Sequence, residues 1–380
     1  MADLTSASPS VTNLSATTES SINHTTSDTL NATAQINYLA PYLEATSNIW
    51  IYLGLPTLIL GTFGHILGII VILHRRKSRK TPATVYLVSL SSAGILLLII
   101  PLFQIVLTSL LPNQADPFRG YTSAGCKIHV LLTYFILHFC AWLQATIAVD
   151  RLLFVATPVR YKVIVTWQRA LVVIACEFFV LLGADGVYAY YVDLRGGVCT
   201  YRAELTTFHV PLSFFDTLIY SILPGLIMII IYIFIITIYS RKQIKLGISR
   251  STKNKNGGRL GAVFITLNIV FLITSLPSCI LSIILAYDRN LTPDQEARLN
   301  TLGWTMTNML SYIGGACTFI VYCVAGSQFR NTLKNMFSRN PTLTSSTNSA
   351  TVTKMSASSM SIHSTMCVKA NNTERKLSNH

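Results

Sequence analysis

The chain has 380 residues, 51% of them hydrophobic and only 12% charged, a balance too apolar for a water-soluble domain of this length. Its formal net charge of +14 raises the question of nucleic acid. The basic residues, however, fall in short clusters between long apolar runs, which is the pattern of membrane topology and anionic lipid headgroups, so no nucleic-acid partner is expected.

Residues 1–48 are rich in Ser, Thr and Asn, contain no Lys or Arg, and carry the sequons Asn13-Leu-Ser15, Asn23-His-Thr25 and Asn31-Ala-Thr33. They predict a disordered extracellular tail glycosylated at Asn13, Asn23 and Asn31. No charged start followed by an apolar run precedes residue 49, so the first span is expected to act as its own insertion signal. Seven apolar windows follow, at 49–73, 83–109, 126–155, 170–191, 208–239, 260–287 and 301–325. Each is long enough, at about 1.5 Å per helical residue, to cross a hydrocarbon core of about 30 Å. Runs of this length without alternation exclude barrel strands. The expected fold is an all-α membrane protein, a seven-transmembrane helix bundle over residues 49–325. Residues 326–337 place Phe329, Leu333 and Phe337 on one face with Arg330, Lys334 and Asn335 between them, which predicts a short amphipathic eighth helix on the membrane surface. Residues 338–380 are Ser/Thr-rich without apolar periodicity and read as a disordered cytoplasmic tail open to phosphorylation.

Most of the 29 Lys and Arg lie between spans one and two, three and four, five and six, and after the seventh. The positive-inside rule makes those segments cytoplasmic and the N-terminus extracellular, placing the chain in the plasma membrane as a multi-pass protein. Most acidic residues fall on the other side, so the outer face is acidic. Of the 8 cysteines, Cys140, Cys176, Cys279, Cys317 and Cys323 lie within apolar windows and Cys367 in the cytoplasmic tail. Only Cys126 and Cys199 face the oxidising side, and one disulfide between them is expected. No metal-ligand spacing, nucleophile elbow or phosphate loop occurs, so neither an enzyme nor a metal or other cofactor is expected.

Asp150-Arg151-Leu152 closes the third window, with Pro158, Arg160 and Tyr161 following. Cys126 lies 25 residues before Arg151; Pro224 and Tyr232 stand in the fifth window, Phe271 and Pro277 in the sixth, and Tyr322 seven residues before Phe329. In these spans and spacings the chain resembles the rhodopsin-like G-protein-coupled receptors, over about residues 49–337. The resemblance implies a resting pair between Asp150 and Arg151 that opens when the sixth helix swings outward. Arg151 then meets a heterotrimeric G protein while Tyr232 and Tyr322 approach each other. Pro224 and Pro277 are the expected hinges. Arrestin and a receptor kinase are the partners implied for the tail.

The departures from the family are specific. Gly64-His65 stands where the family has Asn, Gly94 where it has a buried Asp, Cys176-Glu177 where it has Trp, Ser275 two residues before Pro277 where it has Trp, and Thr318-Phe319 in place of Asn-Pro. With Gly94, Cys140 and Thr318 at the positions resembling the family's sodium ligands, no carboxylate remains for a hard cation, and sodium insensitivity is expected. No acidic residue lies between Lys253 and Arg259 to give Arg151 a second partner, so raised basal activity is a further expectation. Thr133 stands where amine receptors carry Asp, and Tyr312 where opsins carry the retinal Lys, which argues against both ligand classes. The acidic outer face and the aromatic residues around Cys199 favour an extracellular peptide ligand of the neuropeptide kind. The candidate contacts are Gln104, Thr133, Asp216, Asn308 and Tyr312, with Asp216 placed to meet a basic or amidated end. Glu177 and His138 are polar groups in apolar windows whose partners the chain does not name. Two alternatives remain: a decoy receptor that binds without coupling, favoured by the replaced residues but opposed by the retention of Asp150, Arg151, Tyr232 and Tyr322, and a membrane transporter, disfavoured by the scarcity of midplane charges.

Overall fold

The computed structural model describes residues 40–74, 80–112, 114, 116–245, 257–287 and 292–337. The sequons at Asn13, Asn23 and Asn31, most of the basic residues between spans one and two and between spans five and six, and the Ser/Thr-rich tail with Cys367 lie outside these. The chain divides into two units, 1–330 and 331–380. Of the second unit, the described part is the end of the last helix, which spans Ser327–Phe337.

Among the described residues, six helices are long and apolar enough to cross a membrane: Ala40–His74, Pro82–Leu110, Ser123–Ala156, Trp167–Tyr191, Pro211–Ile238 and Ile265–Leu285. A seventh crossing is a pair, Asp294–Ala316 and Thr318–Val324, bent by 45°. The first helix begins nine residues before its apolar window, because hydropathy marks the part in lipid and not the polar turns that continue beyond it. Helix starts follow local chemistry. Thr81, Thr122 and Thr166 each accept a hydrogen bond from the backbone N–H three residues on. Thr292 closes a reciprocal capping box with Gln295, and Pro82, Pro158 and Pro293 occupy first-turn positions where a missing N–H costs nothing.

Apolar side chains cover the outside as well as the inside of the first unit. Leu60, Phe179, Ile236 and Val324 are largely exposed, as lipid-facing residues must be, whereas His65, Gln104, His138, Asp150, Asp185 and Asn268 are buried. The third helix is the most enclosed of the six and packs against the second, fourth, fifth and sixth. Close approaches are made by glycine: a Cβ on Gly64 would sit 2.9 Å from that of Phe319, and one on Gly314 would sit 2.3 Å from the Thr274 hydroxyl.

Between the fourth and fifth helices the chain forms a hairpin, β1 (Val192–Arg195) and β2 (Val198–Tyr201), paired antiparallel with Leu194 opposite Cys199. Gly196 and Gly197, at φ of 58° and 81°, make its two-residue turn, a conformation that side-chain-bearing residues resist. A disulfide from Cys199 to Cys126, with Cα atoms 5.5 Å apart, fixes the hairpin to the third helix. Asp193 reinforces it, accepting from the Ser123 hydroxyl at 2.5 Å and lying 3.6 Å from the Lys127 ammonium. Those bonds, led by the Ser123 hydroxyl and the Leu194 N–H, hold the Asp193 carboxyl below the usual carboxylate range.

Candidate functional site

Away from the disulfide, the third helix ends on a buried ion pair. Asp150 and Arg151 are 3% and 7% exposed; the Arg151 Nε donates to Asp150 Oδ2 at 2.9 Å, and its Nη2 reaches the same oxygen. The other oxygen of Asp150 accepts from the Tyr161 hydroxyl at 3.0 Å, and the guanidinium lies 5.6 Å from the centre of the Phe154 ring. Tyr161 is delivered by the short helix Pro158–Ile164, whose start is set by the proline. Two tyrosines flank this end in separate contacts. Tyr232 accepts from Asn268 Nδ2 at 2.6 Å, and the same amide reaches the Gln144 carbonyl at 3.4 Å, while the Tyr322 hydroxyl lies 3.4 Å from that of Ser91.

In the middle of the bundle His65 and Gly94 explain one another. The His65 ring is 2% exposed and fills the space beside Gly94, where any Cβ would stand 2.4 Å from its Cε1 and Nε2. The imidazole thus takes the volume that a side chain at position 94 would need. A cavity of about 40 Å³ adjoins it, lined among others by Cys140, Gln144, Thr274, Ser311 and Thr318. Pro277 lies inside the sixth helix, and in the turn before it the Thr274 carbonyl accepts from Ser311 of the seventh at 3.0 Å. The seventh helix breaks at Cys317 although no proline is present. Gly314 and Gly315 lower its helical propensity, and the Thr318 hydroxyl takes the Gly315 carbonyl at 2.7 Å. Phe271 meets the Tyr220 ring edge-on at 6.2 Å.

Toward the disulfide, three helices contribute to one charged group. His138 of the third presents Nδ1 to Asp185 Oδ1 of the fourth at 2.7 Å and Nε2 to Asp216 Oδ1 of the fifth at 3.2 Å. Tyr134 stacks on Tyr188 with centroids 3.8 Å apart and lies 3.3 Å, oxygen to oxygen, from Tyr201 of the hairpin. The remaining candidate contacts lie elsewhere. Gln104 donates to Asp116 at 2.6 Å, and Asp116 also binds the Arg119 guanidinium at 2.8 Å. Burial alone would raise the Asp116 carboxyl, but Arg119 and the N–H groups of Phe118 and Arg119 outweigh it and hold the carboxyl below its ordinary range. The Thr133 hydroxyl is bonded back to the His129 carbonyl at 2.9 Å, and Asn308 Nδ2 to the Trp304 carbonyl at 2.8 Å. Tyr312 is buried edge-on against Trp50, 6.1 Å between centroids. Asp216 is therefore grouped with His138 and Asp185, not with Gln104, Asn308 or Tyr312.

A family model described as the 7 transmembrane receptor (rhodopsin family) matches residues 66–322. The chain belongs to that family. The receptor is accordingly a multi-pass membrane protein, of a family that is in general not enzymatic and works between a ligand and a G protein.

Two of the receptor's polar residues are absent from the candidates read off the chain. Asp185 stands inside the fourth apolar window, and Asn268 inside the sixth; a carboxylate or amide within such a run is itself the signal that could have marked them. Glu177 gains a partner in the Thr146 hydroxyl, 2.9 Å from Oε2, while its Oε1 is buried without one.

Proposed function

We propose that this protein is a plasma-membrane receptor which binds an extracellular peptide of the neuropeptide kind and activates a heterotrimeric G protein. The single observation that carries the reading is the buried Asp150–Arg151 pair, capped by Tyr161 at the end of the central helix. A guanidinium in such a place is costly to leave unpaired, so its carboxylate keeps it silent until a partner can replace that carboxylate. Tyr232 and Tyr322, each bonded to a different neighbour, are the groups expected to change partners when the sixth helix moves about Pro277 and Phe271.

In this reading the disulfide end faces outward, the N-terminal tail is glycosylated at Asn13, Asn23 and Asn31, and the Ser327–Phe337 helix lies on the inner leaflet. Arrestin and a receptor kinase act on the tail. The ligand's basic or amidated end pairs with Asp216, and Gln104, Thr133, Asn308 and Tyr312 serve the rest of it. The test is a peptide library screened for guanine-nucleotide exchange on G protein by the full receptor in lipid vesicles. Active peptides should weaken by about tenfold or more with Asp216→Asn, the cost of removing one partner of a desolvated charge pair. Binding without exchange for every peptide would make the protein a decoy receptor instead.

A further inference from the structure

We infer that His138 is the receptor's own cation, seated on the carboxylate that an incoming ligand cation must take, so that agonist entry is an exchange of one cation for another. The inference rests on the reading of Asp216 as the ligand's anionic contact and adds what occupies that contact beforehand.

The protonation state follows from geometry. Both ring nitrogens of His138 face carboxylate oxygens, at 2.7 and 3.2 Å. Between two ionised carboxylates, which only accept, a neutral imidazole with its single N–H satisfies one contact and the doubly protonated ring satisfies both. Asp185 fixes one of them: it is wholly buried, and its second oxygen has no hydrogen-bond partner among the described residues. A buried carboxylate in that position holds its cation strongly. The charges then do not cancel, because two carboxylates share one imidazolium and leave one negative charge over. That charge has one outlet, since the Asp216 side chain is 18% exposed while those of His138 and Asp185 are fully enclosed.

The same contact ties the fifth helix to the third, and a second tie lies one turn along. In the π-helical turn Leu218–Ile222, the Leu223 N–H bonds to the Leu218 carbonyl. The donor that would continue this pattern for Ile219 is residue 224, a proline with no N–H. The orphaned Ile219 carbonyl is satisfied by the Trp142 indole at 3.0 Å, and Trp142 is four residues after His138 on the same face of the third helix. A ligand cation that takes Asp216 from His138 removes the first tie and leaves the irregular turn held by the second. A neutral ligand group has no means to make that exchange, so the cluster also selects for amine or guanidinium chemistry.

The experiment uses the full-length receptor. His138→Gln keeps a donor but removes the charge, and should raise ligand-free nucleotide exchange in vesicles severalfold. His138→Ala opens a ring-sized space between two carboxylates. It should lower the thermal unfolding midpoint by several degrees, and added imidazole at mildly acid pH should restore it saturably. Wild type and the His138→Ala/Asp185→Asn double variant should show no such response. An unaltered basal exchange in His138→Gln, or an imidazole effect of equal size on wild type, overturns the proposal. Should His138→Ala fail to accumulate, His138→Gln decides alone. If Asp216→Asn leaves every active peptide unaffected while imidazole still rescues His138→Ala, the ligand reading fails and the imidazolium assignment stands. The midpoint readout requires neither ligand nor G protein, so failure of coupling does not imitate failure of the cluster.

Discussion

Asp150 carries more than one role at the end of the third helix, since its two oxygens serve Arg151 and Tyr161 separately. Tyr161→Phe removes one hydrogen bond while leaving the ion pair, and is expected to shift the resting balance by about 1 kcal/mol. Asp150→Asn removes the counter-charge itself. Ligand-free nucleotide exchange, compared at equal surface expression, should therefore rise modestly in Tyr161→Phe and more in Asp150→Asn; the reverse order would separate the pair from the silent state. The Asp150–Arg151 contact was legible in the sequence because its two members are chain neighbours. The His138 cluster was not, because its members lie on three helices, 47 and 78 residues from His138, and no pattern along one helix brings them together. His65 and Gly94 are an intermediate case: both are visible as departures from the family, but that one fills the space left by the other is a fact of packing.

Among the elements, the hairpin is the one whose attachment is easiest to remove. Its disulfide joins residues 73 apart in sequence. Cys126→Ser or Cys199→Ser is expected to cost about 2–4 kcal/mol and lower the unfolding midpoint of the detergent-solubilised receptor. Asp193 should not imitate that loss near neutral pH. Its folded carboxyl titrates lower than the unfolded one, so its contribution is complete above about pH 4 and disappears only as the pH falls through the folded value. Amide protection in β1 and β2, taken relative to the intrinsic exchange rate at each pH, should be unchanged between about pH 7 and 5 in wild type; weaker protection at pH 5 would mean that another group anchors the hairpin. Helix positions were readable from apolar length alone, yet the break at Cys317 was not. The expected signal there, a proline, is missing, and two glycines with a threonine hydroxyl produce the bend instead.

At the scale of the whole molecule, an imidazole fills the buried centre, where His65 packs against Gly94. With His65 packed against Gly94, the adjoining cavity is lined by no carboxylate among the described residues, and a hard cation would need one. Peptide affinity should be the same in sodium and in a large organic cation at equal ionic strength, and a selective loss in sodium would refute the point. Composition and charge distribution made the membrane class readable, and the spacing of Asp150-Arg151, Cys126, Pro224, Pro277 and Tyr322 the family resemblance, before any contact was known. The grouping of His138 with Asp185 and Asp216 was not readable, because it depends on which buried groups meet across helices. The most direct measurement is guanine-nucleotide exchange driven by an active peptide in vesicles holding either wild type or Arg151→Ala, with peptide binding measured on the same samples. Exchange should fall by tenfold or more, about 1.4 kcal/mol, in Arg151→Ala while the peptide still binds. Equal exchange by the two proteins would contradict the role assigned to the buried guanidinium.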